Sequence, residues 1–337
     1  MFKIFSLNNY FLLAKMFLFF LCLQWATGQE ANRDDLLNFS VPEKRAHHAL
    51  VYDEKNGRIL LTAGSTPVDG GKSFIFYNDL WTYDGRRWKK NGNAGDKRSG
   101  VRLAYDCKRN CVYSFGGYTG DTSLCDLRVL RNEQWEIVSR LPEMKGEEAG
   151  LVYDDRLDKL ILFGGSGSMG KVHAETWLWD GKVWEKSKSP GPDERQAFAM
   201  VYDSKRKKTI VFGGMGGDPR SIFRDTWEFD GESWQKVCNS TGPGFRTSPG
   251  FTFDSKRGLF IIYGGTTDFK SLGDTWGWNG IAWKKLAENG PPARAIGGMA
   301  YDKRRDRVVL FGGILYWPVD ANDTWEWDGA IWKKVAE

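Results

Sequence analysis

Histidine is almost missing from this chain: its 337 residues include only His47, His48 and His173. A metal centre built on several imidazoles has little material here, and His47 and His48, adjacent on a strand, point to opposite faces. Cysteine is scarce as well, five in all, one of them inside an N-terminal apolar run. Cys107, Cys111, Cys125 and Cys238 suit an oxidising compartment without forming a disulfide framework. An excess of one charge is lacking too. The 48 Lys and Arg stand against 43 Asp and Glu, a formal +5, and that balance calls for no nucleic-acid partner.

The long apolar run lies at the start. Lys3 and Lys15 flank a segment that enters "MFLFFLCL" (16–23), and Ala26-Thr27-Gly28 supplies small residues where a signal peptidase reads. Residues 1–28 are therefore expected to be a secretory signal cut before Gln29. The mature chain is then secreted, periplasmic or otherwise extracytoplasmic, and not an integral membrane protein. The alternative is an uncleaved anchor running from Tyr10 to Ala26.

What abounds is tryptophan, 16 copies, and glycine, 40 copies, and both recur with a period. "VYD", "AYD" or "TFD" ends at Asp53, Asp106, Asp154, Asp203, Asp254 and Asp302, about fifty residues apart. Eleven residues after each aspartate stands Gly64, Gly117, Gly165, Gly214, Gly265 or Gly313, the second of a Gly-Gly pair in every unit but the first. Aromatic pairs seven residues apart follow: Trp81/Trp88, Trp177/Trp184, Trp227/Trp234, Trp276/Trp283 and Trp325/Trp332, with Arg128/Trp135 breaking the column. Alternation in "TWLWD" and "TWEWD" reads as strand. Each unit supplies four short strands, and six such units in register predict an all-β, six-bladed β-propeller whose rings fill the wedges between blades.

The Gly-Gly pairs and Trp columns resemble the kelch repeat, particularly its secreted microbial form, over about residues 44–336. The resemblance implies blades at about 44–93, 94–142, 143–190, 191–241, 242–290 and 291–337, after a lead-in at 29–43. No swapped strand is needed, so closure falls to side-chain packing between blades one and six, helped by "LLNFSV" (36–41). Kelch propellers include enzymes, ligand binders and docking platforms, so the fold does not name the function.

Candidate site residues come from two patterns. Eight residues before the marker aspartates stand Arg45, Arg98, Arg195, Arg246 and Arg294, with Gly146 the exception. An acid heads each third strand: Asp79, Asp126, Glu175, Asp225, Asp274 or Asp323. The two columns either pair as a structural belt, the reading their repetition favours, or leave guanidinium groups ringing the channel mouth to bind a carboxylate or phosphate. The loops on the same face diverge, and they carry Phe74, Phe76, Tyr118, Phe223, Phe269, Tyr316 and Trp317, rings suited to a sugar or a protein partner.

Enzyme signatures are thin. Galactose oxidase also uses a kelch propeller, but its copper site needs two histidines, tyrosines and a cysteine–tyrosine link that cannot be assembled here. "GSGSMG" (165–170) has no helix after it, so it is no phosphate loop. No cofactor is expected. The leading expectation is an exported binding module for a glycan or a protein partner. The alternative is a carbohydrate-active enzyme on an anionic sugar, as in the kelch-type sialic-acid epimerases. Cys107 and Cys111 bracket the hairpin "CKRNC", either bonded across it or as separate thiols. Asn38, Asn239 and Asn322 head glycosylation sequons.

Overall fold

Each marker aspartate ends an inner strand and caps the turn that follows. The carboxylate of Asp302 accepts the backbone N–H groups of Arg304 and Arg305, both at 3.0 Å, and Asp106, Asp154 and Asp203 do the same in their units. The fourth residue after each aspartate takes a positive φ: Gly57, Asn110, Asp158, Lys207, Gly258 and Asp306. Glycine, asparagine and aspartate fit this position. One turn design, used six times, thus sets the hairpin between first and second strands.

The computed structural model describes residues 40–336 apart from 145, 168–169, 219–220, 239–241 and 268–269. The expected signal segment, Asn38, Asn239 and Phe269 lie outside the described residues. Blade 1 comprises Ala49–Asp53, Arg58–Thr62, Asp79–Tyr83 and Trp88–Asn93. Blade 2 comprises Arg102–Asp106, Cys111–Phe115, Asp126–Arg131 and Gln134–Arg140, and blade 3 Gly150–Asp154, Lys159–Phe163, Thr176–Trp179 and Trp184–Lys186. Blade 4 comprises Ala199–Asp203, Lys208–Phe212, Thr226–Phe229 and Trp234–Cys238, and blade 5 Gly250–Asp254, Leu259–Tyr263, Thr275–Trp278 and Trp283–Ala287. Blade 6 comprises Gly298–Asp302, Arg307–Tyr316, Val319–Trp327 and Trp332–Ala336. All six are antiparallel sheets with their strands in chain order, a two-stranded ribbon being inserted between the second and third strands of blades 1 and 5. Each first strand touches the first strands of its two neighbours, including blade 6 against blade 1, so the ring is closed. The structure is a six-bladed β-propeller.

The seams repeat as faithfully as the blades. The N–H of Gly64, Gly117, Gly165, Gly214, Gly265 and Gly313 donates to the carbonyl of residue 98, 146, 195, 246, 294 and 45 respectively, at 2.8–3.0 Å. The last of these closes the ring. At that closure Gly312 and Gly313 have φ of 61° and 98°, and a Cβ on either would lie 2.7 Å from a backbone oxygen, so glycine is required there. Blade 1 places Ala63 at the first position of the pair, at φ 63°.

The tryptophans are core and clip together. In the first column Trp81, Trp227, Trp276 and Trp325 donate their indole N–H to the acid two residues before them, at 2.7–2.8 Å. Arg128 takes the same role, its Nε 2.6 Å from Asp126. In the second column Trp88, Trp234, Trp283 and Trp332 donate to Thr324, Thr176, Thr226 and Thr275 of the preceding blade, at 2.8–2.9 Å. Blade 2 has Leu127 in the threonine position, and the Trp184 indole that faces it is buried without a partner. Rings also pack across the seams, as Phe163 does on Trp234 at 5.2 Å. Val41 packs against the blade 1–blade 6 core.

Candidate functional site

The five repeat arginines are structural. Arg45, Arg98, Arg195, Arg246 and Arg294 are buried, and each is held by the acid heading the third strand of its own blade: Asp79 at 2.5 Å, Asp126 at 3.0 Å, Asp225 at 2.8 Å, Asp274 at 3.0 Å and Asp323 at 2.5 Å. Each also donates to the carbonyl of the first residue of the glycine pair, at 2.9–3.1 Å. Burial raises the carboxyl pKa values, but the arginine hydrogen bonds and charge outweigh it, so all five carboxyls lie below their usual range. These arginines, for which the sequence left open a structural belt, the reading it favoured, or a ring of anion binders, have their guanidinium groups engaged inside the blades. Blade 3 lacks the arginine, and there Glu175 stays partly exposed, 3.6 Å from Lys186 and 3.4 Å from His173.

The divergent loops do build a surface, though not from every ring the sequence offered. Ser65–Val68 and Ser73–Phe76 form a small ribbon above blade 1. The long hairpin of blade 6 leans Trp317 against it. Ring centroids run from Trp317 to Phe74 at 5.9 Å, Phe74 to Phe76 at 6.4 Å and Phe76 to Tyr118 at 6.1 Å, a row over blades 6, 1 and 2. Tyr316 is 66% exposed and Trp317 57%, with Phe74 and Ile75 also exposed. Phe223 is elsewhere: it covers the Arg195 guanidinium, 4.2 Å from its ring centroid, and so belongs to the belt.

A third feature escaped the sequence reading. The second residue after each repeat arginine, or after Gly146, has positive φ: His47, Gly100, Glu148, Ala197, Ser248 and Ile296. Backbone hydrogen bonds link them from blade to blade, Gly100 N to His47 O at 2.8 Å, Glu148 N to Gly100 O at 3.0 Å, Ser248 N to Ala197 O at 2.6 Å and Ile296 N to Ser248 O at 2.8 Å. Three residues of this collar, Glu148, Ser248 and Ile296, line an axial cavity of about 340 Å³, which runs between the first strands to Glu54 and Lys303.

The collar is chemically lopsided. Ala197, Ser248 and Ile296 carry no charge, whereas His47 Nδ1 lies 3.1 Å from Glu148 and Glu147 packs over Gly100. Desolvation lowers the His47 pKa, but the hydrogen bond and charge of Glu148, with Glu147 behind it, leave it raised. Glu147, with burial against it and Glu148 beside it, is pushed up to about 7. Burial works on Glu148 in the same direction, but His47 and Arg102 hold it low. Asp320, buried on the other side of His47, is raised chiefly by burial. His48 by contrast points into the blade 1–blade 6 seam, where burial and Arg45 lower it to about 3 and keep it neutral.

Arg102 lines the cavity beside these acids. Its counterparts in the other blades are Ala49, Gly150, Ala199, Gly250 and Gly298. Among the described residues it forms no ion pair; its side chain donates only to Val101 O at 3.4 Å, and its Nε is buried without a partner. The signal was present in "RSGVRLAYD", where one large cation interrupts a column of alanine and glycine.

Cys107 and Cys111 are separate thiols. Cys107 sits exposed in the turn, while Cys111 opens the second strand opposite Asp106 and interacts with Tyr113. Among the described residues no cluster of His, Cys, Asp and Glu is arranged to hold a metal ion, and no helix is long and apolar enough to cross a membrane. No protein-family model matches the chain. Among curated proteins it is similar to tRNA wybutosine-synthesizing protein 4 of Aspergillus fumigatus, 29% identical over 133 residues. That match covers 37% of this chain and 13% of the other, so the chain spans only a small part of its relative's length.

Proposed function

We propose that this protein is an exported propeller of the kelch type that holds a glycan or a protein partner on its loop face. The observation that carries the reading is the row of rings from Trp317 through Phe74 and Phe76 to Tyr118. Large apolar side chains left at the surface of a rigid scaffold are contact groups in search of a partner, and rings supply contact area at low entropic cost. Its relative's name places that protein in tRNA modification, but the near balance of charge here favours no nucleic-acid role. The test is a glycan array and a displayed-peptide selection on residues 29–337, repeated with Trp317→Ala and Phe74→Ala. A ligand lost about ten-fold or more in both variants supports the reading. Ligands indifferent to both, or none at all, count against it.

A second reading, an enzyme on an anionic sugar, is favoured by Arg102 and Glu148 in the cavity wall, with His47 paired to Glu148 and Glu147 acting on both. A carboxyl that titrates near neutrality can take and return a proton. Turnover of hexuronates that falls by about a hundred-fold in Glu147→Gln would favour it; full activity in that variant would exclude Glu147 as its acid or base.

A further inference from the structure

Repetition separates scaffold from site in this molecule. Where the chain keeps its pattern, as in the five arginine–aspartate pairs, the side chains are mutually engaged. Departures from the pattern therefore ask for a reason, and Arg102 departs most. Its five counterparts are alanine or glycine, and at Gly150, Gly250 and Gly298 a Cβ would meet side chains of the next blade, Met200, Met299 and Leu50. A guanidinium here adds a cation to the cavity wall, to which only Ala49 and Gly298 of the counterparts contribute, with one long hydrogen bond and a buried Nε lacking any acceptor. An unmet buried donor on a cation is costly, and neither Glu147 nor Glu148 approaches close enough to form an ion pair with it.

We propose that the axial cavity is a binding site for a small organic monocarboxylate, its carboxylate seated on Arg102 and its body lying along the uncharged wall of Ser248 and Ile296. Arginine's fork matches a carboxylate with two parallel hydrogen bonds. A cavity of about 340 Å³ is at the small end of ligand sites and fits a molecule of about sugar size. Glu147 and Glu148 make the choice among anions: a single negative charge is tolerated beside them, whereas a phosphate dianion meets more repulsion. The site is inside the ring, so it stands or falls independently of the aromatic row.

The groups facing Glu147 give the site a pH dependence of definite sign. They are Glu148, which raises its pKa, and His47 and Arg102, which lower it, with burial the largest cause. As pH rises through about 7, Glu147 gains a negative charge beside the bound carboxylate, and His47 loses its proton above its own raised value. Both changes oppose an anion, so affinity falls with rising pH, and binding takes up protons where these groups are deprotonated in the free protein, from about pH 7 upward.

The experiment is calorimetric titration of residues 29–337 with glucuronate, galacturonate and lactate, with glucose and inorganic phosphate as controls, at pH 6 and pH 8. The expected result is binding of at least one carboxylate, stronger at pH 6, with glucose and phosphate each weaker by about ten-fold or more. Arg102→Gln, its fold checked by an unchanged melting profile, loses that binding by about ten-fold or more; Glu147→Gln flattens the pH dependence. Three outcomes overturn the proposal: no carboxylate binds at concentrations up to about 10 mM, phosphate binds more tightly than any of them, or Arg102→Gln binds as well as the parent.

Discussion

A single hydroxyl shows how closely the seams are specified. Thr275 is buried in blade 5 and accepts the Trp332 indole N–H from blade 6 at 2.9 Å. Valine keeps the shape of threonine but removes the acceptor, leaving a buried indole donor without a partner. Thr275→Val is therefore expected to cost about 1–3 kcal/mol, read in urea as a lower midpoint at unchanged slope. Trp184 already lives with that deficit opposite Leu127. Leu127 is itself fully buried against Tyr153 and Trp179 in the core between blades 2 and 3, so there apolar packing takes the place of the hydrogen bond.

At the scale of an element, the arginine belt ties the head of each third strand to the loop before the first. Arg45→Ala strands the buried Asp79 carboxylate and is expected to cost about 3–5 kcal/mol. Acid acts on the same pairs. All five aspartates have folded pKa values depressed below the ordinary carboxylate value. Their contribution is complete above the unfolded value of about 4 and is lost as pH falls through the lower folded values. Midpoint stability measured from pH 7 to pH 2 should hold down to about pH 4 and then drop, less steeply in Arg45→Ala. Blade 3 supplies the converse. A Cβ at Gly146 meets nothing closer than 3.4 Å, and Glu175 and His173 stand where Asp79 and Tyr77 flank Arg45. Gly146→Arg should stabilise the fold by up to about 1 kcal/mol, and a loss would mean that His173 already fills the space.

The belt and the blades were legible in the sequence because each feature is spelled five or six times, so period alone aligns Arg45 with Asp79 and Trp81 with Trp88. The collar was not legible in the same way. His47, Gly100 and Glu148 come from three different units, and only the stacking of successive blades makes them neighbours. Arg102 was not legible from the repeat because it belongs to no column of arginines: its counterparts are alanine or glycine. The aromatic row was half legible: the loops named Trp317 and Tyr118, but the sequence could not tell that Phe74 and Phe76 bridge them while Phe223 turns inward onto Arg195.

On the scale of the whole molecule the question is whether the seam between blades 6 and 1, the first and last of the ring, is a weak latch. It repeats the backbone contacts of the other seams, Gly313 N to Arg45 O at 2.9 Å and Arg45 N to Ala321 O at 3.2 Å, and carries the tryptophan–threonine bond found in three of them, the Trp88 indole to Thr324 at 2.9 Å. It adds Tyr83 to Glu326 at 3.0 Å and the Lys303–Glu54 ion pair. Among the described residues no strand is exchanged between blades 6 and 1, so side-chain packing and bonds such as these hold the two blades together. If all seams are equivalent, Trp88→Phe at the closure and Trp283→Phe inside the ring should cost the same, about 2–4 kcal/mol each from a lost hydrogen bond and a small cavity. Both variants should then melt in one transition, followed by calorimetry with a matching van't Hoff enthalpy. A latch would behave differently: Trp88→Phe would split off an early transition in which blades 1 and 6 part, while Trp283→Phe would not. Equal costs in single transitions would show that closure distributes stability around the whole ring, so that the cavity at its axis keeps its shape even though no covalent link among the described residues joins blade 6 to blade 1.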